Sequence, residues 1–108
     1  MTEDQFRQLA LELREAVEGA HMGHPDFRVG GKIFASLLPD KGLGMVKLIP
    51  EQQRMFIENE PDSYRPASGS WGLKGATNVI LEKAEADSVR MALEMAWRNT
   101  APRKLLDQ

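Results

Sequence analysis

Apolar residues near the start of the chain recur at spacings of three and four: Phe6, Leu9, Ala10, Leu13, Ala16 and Val17. That period puts them on one helical face and predicts a helix over residues 3–18. Thr2 and Gln5 form a capping-box pair at its start, and Gly19 is a suitable stop. Residues 20–25 read as irregular chain or a short edge strand, because Pro25 has no amide proton for a sheet ladder. Alternation then begins at Phe27-Arg28-Val29. Gly30-Gly31 can take the positive φ angles of a tight hairpin, and Lys32 to Leu38 forms the returning strand. Pro39 to Gly42 has turn composition, and Leu43 to Leu48 is the next strand.

Pro50 suits the first position of a helix running from Glu51 to Glu60, which Pro61 ends. Residues 61–75 read as a long connection rich in Pro, Gly and Ser, and Ala76 to Leu81 as a strand. Val89, Ala92, Leu93, Ala96 and Trp97 form the stripe of a final helix over residues 87–98, with Asp87 as its N-cap. Hairpin-linked strands pair antiparallel, and two long amphipathic helices need an apolar surface to cover. The expected fold is α+β: an antiparallel sheet covered on one face by the N- and C-terminal helices, its other face open.

Composition narrows the chemistry. A length of 108 residues suits one domain spanning 1–108. Without cysteine there is no disulfide, thiolate nucleophile or cysteine-ligated zinc. The start, Met1-Thr2-Glu3-Asp4-Gln5, is polar and acidic, unlike a secretory leader, and no apolar run has the length of a membrane span. These features lead to the expectation of a cytoplasmic protein. The net charge of -2 argues against a dedicated nucleic-acid binder, although a local basic patch is compatible with an acidic total.

The segment His24-Pro25-Asp26-Phe27-Arg28-Val29-Gly30-Gly31-Lys32-Ile33-Phe34-Ala35 resembles the signature of the MmcQ/YjbR family. Gly44-Met45-Val46-Lys47-Leu48 with Pro50-Glu51-Gln52, Tyr64-Arg65-Pro66, Gly69-Ser70-Trp71-Gly72 and Ala96 to Pro102 resemble its later blocks in order. The resemblance implies a CyaY-like two-layer sandwich. It also implies a DNA-binding label that rests on fold analogy, and it brings no catalytic residues with it.

Strand alternation places Arg28, Lys32, Phe34, Met45 and Lys47 on the open face, opposite Phe27, Val29, Ile33, Val46 and Leu48. Trp71, Lys74, Tyr64 and Arg65 extend that surface from the neighbouring loop. Cations neutralise phosphates and flat rings stack on bases, so the candidate anion or nucleic-acid site is Arg28, Lys32, Phe34, Lys47, Arg65, Trp71 and Lys74. The plainer alternative is a solvated basic face with its aromatics turned into the core.

Other candidates are weaker. His21, His24 and Asp26 are too few for a defined metal site. Gly69, Gly72 and Gly75 with Lys74 lack the spacing of a phosphate-binding loop. Glu12, Glu15 and Glu18 read as a solvated helix face, with Glu3–Arg7 and Arg14–Glu18 as ion pairs one turn apart. The expected function is a monomeric, non-enzymatic binding module without cofactor or metal, taking DNA or another anionic partner through the open face. The alternative is a protein-interaction or accessory domain without nucleic-acid affinity.

Overall fold

A computed structural model describes residues 1–107 of the chain. The elements are α1 (Glu3–Leu11), β1 (Val17–His21), β2 (His24–Val29), β3 (Lys32–Leu38), a 3-10 turn (Pro39–Lys41), β4 (Leu43–Lys47), α2 (Pro50–Asn59), β5 (Tyr64–Pro66), α3 (Gly69–Leu73), β6 (Ala76–Ile80), α4 (Ala86–Thr100) and α5 (Arg103–Leu106). The six strands form one antiparallel sheet in the order β1-β2-β3-β4-β6-β5. The expected α+β sandwich is therefore the observed one.

Its core lies between one sheet face and the helices. Phe6, Leu9 and Ala10 of α1 meet Val89, Ala92, Leu93, Ala96 and Trp97 of α4 over Phe27, Val29, Phe34, Leu37 and Val46. Phe6 and Phe27 pack with ring centroids 6.1 Å apart. Towards the β5 side, Phe56 of α2 meets Tyr64 edge-on at 5.1 Å.

The first helix is shorter than its apolar period. The Thr2–Gln5 capping box forms as expected, with reciprocal bonds of 2.8 and 3.1 Å, but α1 stops at Leu11. Glu15 takes a positive φ of 57°, which no helix continues through, and Val17 to His21 pairs with β2 instead. Leu13 and Ala16 still pack against the core from the intervening turn, whereas Val17 is exposed. The expected pairs Glu3–Arg7 and Arg14–Glu18 give way accordingly. Arg7 bonds Asp4 and Glu18, and Arg14 donates to the Leu105 carbonyl.

At the other end, Glu85 holds the N-cap position of α4, and Asp87 sits inside the first turn, paired with Arg90 at 3.2 Å. A carboxylate there still complements the helix dipole. The stretch read as a connection over residues 61–75 holds two elements, β5 and α3. Both were too short for a periodic signal.

Candidate functional site

The open face is built from cross-strand rows. Asp26, Ser36, Met45, Asn78 and Arg65 stand opposite one another across five strands, so their side chains share a face. Arg28 stands opposite Ile33, and Lys47 opposite Ala76. Helix α3 rises over this face and carries Trp71, whose side chain is largely exposed. The Lys47 ammonium lies 5.5 Å from the Trp71 ring centroid, within cation–π range.

Beside Trp71 runs a groove of about 590 Å³. Its cations are Arg28, Lys32, Lys47 and Lys74, its far wall is Asn99 and Thr100 at the end of α4, and its lining has no carboxylate. A second hollow of about 350 Å³ continues across the sheet over Met45 and Asn78, sharing Ile33, Lys47, Trp71 and Ala76 with the first.

Phe34 departs from this picture. It is fully buried in the core, and Ile33 takes the groove position. The cause is a bulge: Phe27 pairs with Ala35 but Arg28 pairs with Ile33, leaving Phe34 as an extra residue on β3. Tyr64 is buried too. Its hydroxyl bonds Ser88 at 2.6 Å, and Ser88 donates to Glu60 at 2.6 Å. Burial pushes the Tyr64 phenol up to about 12, the Ser88 bond opposing and the Glu60 charge adding to it. Arg65 shares the open-face row but is outside both hollows. Arg28, Lys32, Lys47, Trp71 and Lys74 come together as expected, and Phe34, Tyr64 and Arg65 do not join them.

One anchor of the groove was not foreseen. Asp26 is fully buried on the open side, with Arg28 Nε 2.8 Å from Oδ1 and Nη2 3.0 Å from Oδ2. His21 Nδ1 donates to Oδ2 at 2.9 Å. Hydrogen bonding from Arg28 outweighs the cost of burial, and His21 adds to it, so the carboxyl is held below its usual range. Gly19 makes this packing feasible: a Cβ there would stand 3.0 Å from Asp26 Oδ1 and 3.2 Å from Arg28 Nε. His21 is thus engaged by a carboxylate. Among the described residues, no three His, Cys, Asp or Glu side chains gather as a metal site.

Helix α3 is tied down despite its length of five residues. Gln53 of α2 donates to the Gly72 carbonyl at 3.1 Å and the Ala76 carbonyl at 2.9 Å. A side chain at Gly72 would collide with the Ala67 carbonyl, and Gly75 turns at a φ of 114° against the Leu48 carbonyl. Asn99 of α4 donates to the Lys47 carbonyl at 3.0 Å and to Gln52 Oε1 at 2.8 Å. These amides are the positioning residues that periodicity had no means to reveal. Their only sequence signal is the place of Gln52 and Asn99 within the segments that carry the family resemblance.

Fold and site together define a class: a small α+β domain whose uncovered sheet face holds a basic groove walled by a tryptophan. The chain belongs to the YjbR family, whose sequence profile matches residues 11–99. The fold is similar to the crystal structure of the Deinococcus radiodurans protein DR2400, a protein with a DUF419 domain. The two share 20% sequence identity with a TM-score of 0.75, over 89% of this chain and 75% of that one. No curated protein is significantly similar in sequence. No helix among the described residues is long and apolar enough to cross a membrane.

Proposed function

We propose that this domain is a non-enzymatic binding module that takes an anionic polymer, nucleic acid foremost, along its open sheet face. One observation carries the reading: Arg28, Lys32, Lys47 and Lys74 line a single groove without a carboxylate among them, on a chain whose total charge is -2. Cations gathered against the sign of the whole molecule concentrate a positive potential on one face. Arg28 is partly neutralised by Asp26, so Lys32, Lys47 and Lys74 supply most of that potential. Nucleic acid has the matching charge density. A chain without cysteine suits the reducing cytoplasm where such a partner is abundant.

The test is a fluorescence-anisotropy titration of labelled oligonucleotides at two salt concentrations, with the native protein and Lys47→Ala. Binding should weaken steeply with salt, and the substitution should lower the salt slope by about 1. Absence of binding at low salt would overturn the reading.

A second reading is favoured by a separate observation. Trp71 and Leu73 are exposed on the same short helix, 62% and 83% respectively, and paired exposed apolar side chains suit a protein partner. A partner captured at equal stoichiometry, and lost on Leu73→Ser, would replace the nucleic-acid reading.

A further inference from the structure

The two hollows of the open face differ in chemistry, and Trp71 stands where they meet. The larger one is lined by cations. The smaller, at about 350 Å³, has a floor of Met45, Leu38 and Leu43, with Ser36 and Asn78 offering hydroxyl and amide groups from the sheet and His21, Lys41 and Lys47 also lining it. That volume is at the low end of the range of roughly 300–1,000 Å³ typical of small-ligand pockets. An apolar floor, an aromatic wall and a few polar groups suit a flat heterocycle with hydrogen-bonding edges. The cations next door suit a string of phosphates rather than one carboxylate, because a single anion needs no groove with four of them.

We infer that the smaller hollow receives the base of a nucleotide in a single strand, stacked on Trp71, while the adjoining phosphates lie along Arg28, Lys32, Lys47 and Lys74. The inference rests on the nucleic-acid reading above and adds the kind of strand. A duplex keeps its bases stacked inside and offers none to a slot in a protein surface, whereas a single strand turns them outward. The site is ready for stacking before the ligand arrives. Gln53 holds the backbone at Gly72 within α3 and at Ala76 just after it, so Trp71 is exposed yet carried on an anchored helix. Lys47 serves both halves, with its ammonium near the Trp71 ring and at the border of the two hollows.

The test compares four ligands on the native protein: a single strand (as DNA and as RNA), the corresponding duplex, an abasic strand that keeps the sugar–phosphate backbone, and a nucleoside monophosphate. Anisotropy reports binding of the labelled strands, and tryptophan emission reports stacking. The second tryptophan, Trp97, is buried with its indole bonded to the Arg14 carbonyl at 2.9 Å, so a ligand-dependent change belongs to Trp71. The expected result is quenching by the single strand, with the abasic strand and the duplex each about tenfold weaker or more. Trp71→Ala should bring the single strand down to the abasic level, and Trp71→Phe should retain most of the difference. Equal affinity for abasic and normal strands, or for duplex, would overturn the slot while leaving the charged groove standing. A monophosphate bound as tightly as the strand would also overturn it, in favour of a free-nucleotide site. Failure of every strand to bind at low salt would remove both this inference and the reading beneath it.

Discussion

The Lys47 ammonium sits 5.5 Å from the centre of the Trp71 ring, although the two residues belong to different elements and face solvent. The pairing does two things. It draws a long flexible side chain toward the groove, and it gives the exposed ring a neighbour that discourages it from folding back onto the sheet. Lys47→Met should retain much of the ring's position but weaken oligonucleotide binding and its salt dependence. Lys47→Arg should retain both. Salt-dependent anisotropy on the two variants separates the charge from the contact.

Gln53→Ala tests the anchoring of α3. It removes two hydrogen bonds to carbonyls, at a cost of about 1–2 kcal/mol in stability. Charge in the groove is unchanged. The expected outcome is faster amide exchange over Gly69 to Lys74 and weaker ligand binding. Hydrogen exchange read residue by residue would check it.

Asp26→Asn should destabilise the fold by about 1–3 kcal/mol at neutral pH, because it breaks charge-assisted bonds to a buried carboxylate. The direction with pH follows from the lowered carboxyl. The unfolded chain takes up this proton before the folded one does. The stabilisation is therefore complete above the unfolded carboxylate range and is lost as pH falls through the folded value. Denaturant melts at pH 7 and pH 3 should show the native protein losing more stability than the variant over that interval.

Tyr64→Phe addresses the opposite end of the scale. The phenol is raised from 10.0 to about 12 by burial, so above pH 10 the unfolded chain ionises first. Stability is complete below that point and falls as pH rises toward 12, by about 2 kcal/mol from this group. The phenylalanine variant should lack that part of the alkaline loss. Thermal melts between pH 9 and pH 11.5 would reveal it.

Phe34→Ala should act on folding and not selectively on ligand. The ring is fully buried, and its removal should cost about 3–5 kcal/mol. Ile33→Ala, one residue earlier, should cost far less and change the groove floor. A pair of urea melts distinguishes them.

Much of the fold was legible from periodicity. The strands Lys32–Leu38 and Leu43–Lys47, the helices near residues 50–60 and 86–100 and the single open face all follow from spacing, proline and glycine. What failed has physical causes. The apolar spacing of Leu13, Ala16 and Val17 fits a helix, but pairing with β2 extends the backbone there. Tyr64 is an aromatic next to an arginine, and nothing local shows that Ser88 waits for its hydroxyl from another helix. The Asp26–Arg28–His21 cluster packs close against a strand neighbour, Gly19, where a Cβ would be a tight contact. Of the candidate site, the cations and Trp71 were visible because charge and aromaticity are properties of residues. The amides that aim them were not, because aiming is a property of contacts.

The bulge at Phe34 has a further consequence. Along β3, parity decides destiny: odd and even positions face opposite worlds, and one supernumerary residue reverses the count midway. Ile33 ahead of it and Ser36 behind it both reach the same solvent-facing surface, though an unbroken alternation would send them apart. With Phe34 removed the strand would alternate without a break, Ile33 and Ser36 keeping the open face and Ala35 the interior, so the extra residue adds a buried ring to the core without displacing its neighbours.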